Sequence, residues 1–136
     1  MASALDISTS ALVAQRIRLN AISSNIANIS TTHNEDGEPI PYQPRFTVFQ
    51  TDDQLTTPQG AAGVRVASVE IDYREPLRKF EPGHPDADEN GMVAYPNIDL
   101  TTQFVNALEA TRAYEANVGV IEVTKNMAQQ TLRILA

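Results

Sequence analysis

The chain has 136 residues, a formal charge of −7 and no cysteine. That length bounds it to one domain with a modest core, and 42% apolar with 20% charged residues is ordinary for a folded protein. The acidic balance excludes a sequence-independent nucleic-acid binder, and the missing cysteine excludes disulfides, thiolate metal sites and a thiol nucleophile.

The opening MASALDISTS has neither a basic stretch nor an apolar h-region, so no cleaved secretory signal is expected. No window dominated by bases marks an anionic membrane surface as a partner, and no apolar run reaches the ~20 residues of a membrane helix. Helix is predicted from about residue 3 to 29 on a seam of Leu5, Ser8, Leu12, Gln15, Leu19, Ile22, Ile26 and Ile29, a spacing of coiled-coil type. Its last turns, in RLNAISSNIANISTT, are crowded with Asn20, Ser23, Ser24, Asn25 and Asn28, residue types that prefer caps and turns. Two readings of these amides stand side by side. Asn25 and Asn28 set register by bonding across subunit contacts, or the amides face solvent while Asn28, Ser30 and Thr31 cap the helix end. Ser8, Gln15, Asn20 and Ser23 would also keep this helix weak on its own.

Residues 31–98 hold all eight prolines and five of the six glycines, which ends any long helix. Asp36-Gly37 and Asn90-Gly91 are tight-turn pairs. Three β-like runs stand between turns: RFTVFQ, VRVASVEIDY and GMVAYP. The second places Val64 and Val66 on one face and Val69, Ile71 and Tyr73 on the other, after a bulge. The stretch 51–63, polar and Gly-containing, reads as a mobile loop.

A second helix is predicted from Asp99, as N-cap, to about Leu135. Leu100, Ala107, Tyr114, Ile121, Ala128 and Leu135 repeat every seven residues, flanked by Phe104, Thr111, Val118 and Leu132 and interrupted by Lys125. The expected fold is α+β: two long end helices paired as an antiparallel coiled coil, with a small β-rich middle. Segments are expected at 1–30, 31–98 and 99–136. A two-helix hairpin leaves Ile7, Val13, Ile17, Val105 and Leu108 half uncovered, so other subunits are expected to cover them. Residues expected at subunit contacts are Leu5, Leu12, Leu19, Ile22, Asn25, Ile26 and Asn28 on the first helix. On the second they are Leu100, Phe104, Ala107, Tyr114, Asn117, Val118, Ile121, Leu132 and Leu135.

Catalytic motifs are missing: there is no H-x-x-H, no G-x-S-x-G, no P-loop and no G-x-G-x-x-G. No catalytic residue, cofactor or metal is therefore expected. DADENG, at 86–91, matches the opening of an EF-hand loop, but its twelfth position is Asn97 instead of Glu and no helix leads into it. A turn before the GMVAYP strand accounts for Asp88, Asn90 and Gly91 without calcium.

Three blocks carry a family resemblance. ALVAQRIRLNAISSNIANISTT from Ala11 resembles the N-terminal motif of flagellar rod, hook and hook-associated proteins. NALEATRAYEANVGVIEVTKNMAQQTLRI from Asn106 resembles their C-terminal helix. EPGHPDADENGMVAYPNIDL from Glu81 is similar to a segment peculiar to the proximal-rod subunit, and PYQPRFTVFQ from Pro41 is a weaker fourth block. Pro44 departs from the family pattern, which has a basic residue before the strand. The resemblance to the flagellar basal-body rod family implies a structural, non-enzymatic subunit of a helical tube that transmits torque across the cell envelope. It also implies export without a cleaved signal through the flagellar export apparatus. Localisation in the basal-body rod follows (periplasmic in a two-membrane cell), with itself and other rod subunits as partners and neither nucleic acid nor a small-molecule substrate. The runner-up is another axial protein acting as junction or adaptor. A small calcium-binding or hydrolytic protein is the third class, tested by calcium titration followed by Tyr fluorescence.

Overall fold

A computed structural model describes residues 2–136. Helix α1 (Ala4–Ala27) starts at a capping box, in which Ser3 Oγ accepts the Asp6 N–H and the Asp6 carboxylate accepts the Ser3 N–H at 2.8 Å. It stops two residues earlier than the seam predicts because Asn28 closes it. The Asn28 side-chain amide donates to the Ser24 carbonyl at 2.9 Å, and its oxygen accepts the Thr31 hydroxyl at 3.1 Å. Of the two readings of this residue, the capping one describes these bonds.

Strands β1 (Arg45–Thr56) and β2 (Ala62–Ile71) form one antiparallel hairpin. This corrects the loop expected at 51–63: the backbone stays extended through Thr56, turns over 57–61 and resumes at Ala62. Thr57 ties the turn by accepting the Ala61 N–H on its side chain at 3.1 Å, and Gly60 occupies a left-handed conformation at φ +83°. Polar strand residues at the tip hide the strand from a pattern reading, since they give no alternation of apolar and polar side chains there. A bulge falls at Ala67, where Val48 pairs with Ser68 and Phe49 with Val66. Its effect corrects the expected faces. Val64, Val66, Val69 and Ile71 oppose Thr51, Phe49, Thr47 and Arg45, alternate residues of one strand, so all four lie on one face.

Strand β3 (Leu77–Phe80), missed in the sequence, pairs antiparallel with β4 (Met92–Tyr95) in a second two-stranded sheet. Leu-Arg-Lys-Phe has its apolar residues at the ends and no alternation, and all four side chains are exposed. Before β4, Asp88 accepts the Asn90 and Met92 N–H groups at 2.9 and 2.8 Å, and Gly91 adopts φ +73°. Helix α2 (Leu100–Leu135) follows directly. Asp99 stands at the N-cap as expected, but its carboxylate accepts the Thr102 hydroxyl at 2.6 Å instead of a backbone N–H.

Helix α1 is the centre of the molecule. The β1–β2 hairpin lies along one side of it, from Asn25 against Arg45 to Ala2 against Thr56. On another side α2 packs, and the Arg18–Glu109 and Asn25–Gln103 contacts run in opposite order along the chain, so the helices are antiparallel. Among the described elements, α2 packs on α1 alone, and the second sheet packs on no helix. The core is small: Ala14, Ala21, Ile22 and Ala110 between the long elements, with Val93, Ile98 and Thr32 under the second sheet.

Candidate assembly surface

Asn25 is 3% exposed, and its amide is fully used inside the chain. Its nitrogen donates to the Arg45 carbonyl at 2.8 Å and to Gln103 Oε1 at 3.3 Å; its oxygen accepts the Arg45 N–H at 2.8 Å and the Tyr42 hydroxyl at 3.2 Å. Two donors and two acceptors exhaust a primary amide. Asn25 thus joins α1, the outer edge of β1, the 28–44 connection and α2, which corrects the expectation of a bond to another subunit. Ser10 plays the same part at the other end. Its hydroxyl donates to Ile7 O and accepts the Val64 N–H at 3.1 Å. Asn25 and Ser10, polar residues of the first helix, are thus spent on holding strand edges. Pro44, the departure from the family pattern, is buried, and its carbonyl accepts the Asp72 N–H at 2.7 Å at the open end of the hairpin.

The two histidines, 51 positions apart in sequence, meet at one carboxylate. Asp86 Oδ2 accepts the Thr32 hydroxyl at 2.6 Å, with His33 Nδ1 at 3.2 Å and His84 Nδ1 at 4.0 Å. The Thr32 hydroxyl, foremost, holds the Asp86 pKa below its ordinary value, with the histidines adding to it. This clasp fastens the turn carrying DADENG to the chain leaving α1. Of the carboxylates in that sequence, Asp86 is occupied with a hydroxyl and Asp88 with backbone N–H groups.

The remaining contact candidates divide by burial. Ile22 is buried; Leu12, Leu19, Ile26, Asn28, Ala107, Asn117, Val118 and Ile121 are half-buried; Leu5, Leu100, Phe104, Tyr114, Leu132 and Leu135 are exposed. The one fully buried residue of α2 is Ala110, off the heptad seam. Around it Gln103, Asn106, Ala113 and Asn117 are half-buried, so the side of α2 that meets α1 is rotated away from the predicted stripe. Leu100, Phe104, Val105, Leu108, Val123 and Met127 are left uncovered. Val120, Val123, Met127 and Ile134 were not on the predicted surface; the signal that points to them is the second stripe begun by Val105 and Leu108.

From Lys125 to Ala136 every residue is exposed. Extending the Arg18–Glu109 contact along both helices puts the start of α1 opposite about residue 123, so the rest of α2 projects past its only neighbour. The accessible surface is 9335 Å². A compact monomer of 14.9 kDa has about 7,000 Å². The excess, about 2,300 Å², reflects an elongated shape with the end of α2 projecting. Among the described residues no helix is long and apolar enough to cross a membrane.

Residues 5–33 match the family described as flagella basal body rod protein, and residues 89–134 match the C-terminal family of flagellar basal body rod FlgEFG proteins. The chain is 42% identical over 130 residues to the flagellar basal-body rod protein FlgC of Salmonella typhimurium, covering 95% of this chain and 93% of that protein. It is 39% identical to FlgC of Borreliella burgdorferi, with 98% and 96% covered, and 34% identical to FlgC of Bacillus subtilis, with 96% and 95% covered.

Proposed function

Because this chain belongs to the FlgC family of flagellar basal-body rod proteins, we propose that α1 and α2 form the inner, coiled-coil layer of a helical rod of which it is a structural subunit. The observation that carries this reading is the bare length of α2. Twelve consecutive helical or helix-capping residues without a neighbour, four of them large and apolar, need other copies or other rod subunits to cover them. The seam residues still exposed, Leu5, Leu100, Phe104, Tyr114, Leu132 and Leu135, are the first contacts of that assembly, with the half-buried Leu12, Leu19, Ile26, Ala107, Asn117, Val118 and Ile121 at its margin. The chain works in the basal-body rod, and its relatives' structural role supports a non-enzymatic one here. Passage through the flagellar export apparatus and transmission of torque by the assembled tube belong to the same reading. Mass spectrometry of detergent-extracted hook–basal bodies tests this: the chain is expected enriched with ring and hook proteins, and its absence would overturn the reading.

A further inference from the structure

The turn that carries Asn90-Gly91 holds a reaction in check. Of the nine asparagines, Asn90 alone precedes glycine; the others precede residues whose side chains crowd the following backbone nitrogen. Asparagine followed by an unhindered N–H is a thermolabile site, because that nitrogen can attack the carboxamide carbon. Here Asn90 is exposed, while Gly91 is buried. The chain cannot exchange this glycine for a residue that would block the attack. Gly91 sits at φ +73°, and a Cβ there would lie 3.0 Å from the Phe80 ring and 3.1 Å from Pro82 Cβ.

The same turn withholds the nucleophile. The Gly91 N–H donates to the Asp88 carbonyl at 3.0 Å and neither residue between them has positive φ, so the turn is type I, with an Asn90 ψ of about 0°. At that angle the Gly91 nitrogen lies over the Asn90 nitrogen, whereas ring closure needs it over Cβ, within reach of the carboxamide carbon. Rotating it there would break the bond to Asp88. It would also disturb the Glu81 N–H, which donates to the Gly91 carbonyl at 2.9 Å, and the Asn90 and Met92 N–H groups held by the Asp88 carboxylate. We propose that Asn90 is a deamidation site gated by this turn, closed to reaction in the folded chain and open whenever residues 88–91 unfold. In the open segment the Gly91 nitrogen gives its proton to hydroxide and bonds to Asn90 Cγ. The Cγ–Nδ2 bond then breaks, and ammonia leaves with a proton from water, which restores the hydroxide. Water opens the resulting succinimide at either C–N bond. Cleaving the new bond leaves aspartate; cleaving the original peptide bond leaves isoaspartate, with a further carbon in the main chain. Nothing is oxidised or reduced. Either product places another carboxylate beside Asp88 and Glu89, and isoaspartate shifts Gly91 away from its seat against Phe80 and Pro82.

To test this, the purified chain is kept at mildly alkaline pH, native and in guanidinium chloride, and its peptides are sequenced by mass spectrometry at intervals. In denaturant, position 90 is expected to convert ahead of the other asparagines, to a mixture of aspartate and isoaspartate. In the native chain its conversion should be slower by roughly tenfold or more, since opening the turn gives up several hydrogen bonds and two of them together are worth about that factor. Equal rates in the two states overturn the gate. Conversion in denaturant that is no faster at position 90 than elsewhere overturns the site. Asp88→Ala separates the turn from the rest of the fold, because it removes both carboxylate bonds. In a variant that circular dichroism shows to be folded, conversion of Asn90 should rise severalfold above the parent chain, and an unchanged rate overturns the turn as the gate. If that variant does not fold, Asp88→Ser, which keeps a shorter acceptor, is read by the same criterion.

Discussion

Asn25 shows how one side chain organises three elements. Its amide supplies the N–H and carbonyl of Arg45 with partners that a two-stranded sheet lacks on its outer edge. Asn25→Leu keeps the volume and removes all four bonds, so we expect a loss of about 1–3 kcal/mol, read as a lower urea midpoint of the purified chain. An unchanged midpoint would show the edge satisfied by water. Asp86 is the second residue of this kind. Its folded pKa lies below the ordinary 3.8, so its contribution is present above that value and is lost as the pH falls through the lowered one. Asp86→Asn removes that carboxylate; between pH 5 and 3 the urea midpoint of the variant should fall less than that of the parent chain. A parallel decline in both would exclude the clasp as a source of stability.

At the scale of elements, α1 and α2 differ in what holds them. Helix α1 has neighbours along its length, a capping box at one end and an amide cap at the other. Helix α2 has a neighbour over its first two-thirds only. Removing residues 125–136 should therefore leave the thermal midpoint of the dilute chain within a few degrees, because no intramolecular contact is lost, while incorporation into basal bodies fails. A fall of ten degrees or more would mean that the tail packs within the monomer. Gly119 belongs to the same picture. A Cβ built there meets nothing within 4 Å, so within the chain nothing requires glycine, and Gly119→Ala should stabilise α2 by about 1 kcal/mol. Thermal unfolding at low concentration measures this; destabilisation would point to a close approach inside the monomer.

The whole molecule is a three-layer strip, with the hairpin, α1 and α2 side by side and the second sheet at one end. Its buried apolar set is six residues, two of them at 0% exposure. Such a core holds the middle of the molecule, but the projecting part of α2 is an isolated helix, which is marginal in water. Circular dichroism of the dilute chain should show less helix than the full lengths of α1 and α2 would give, with a gain on assembly. Full helicity at micromolar concentration would contradict this.

What the sequence determined by itself was whatever depends on local chemistry. Helix periodicity, proline and glycine placement and the 88–91 turn put two long helices at the ends and strands between them, and the family blocks identified the kind of assembly. The tertiary structure alone decided where side chains are spent. Asn25 was legible as an amide out of place in a helix, but not as the partner of Arg45, because a strand edge has no signature in the side chains that form it. His33 and His84 meet at Asp86 only because the chain folds back after α1. The contact side of α2 was misread for a related reason: a heptad repeat records the sum of all partners a helix will have. With α1 as the sole neighbour inside the chain, Ala110 and small polar residues meet it, and much of the apolar stripe remains exposed.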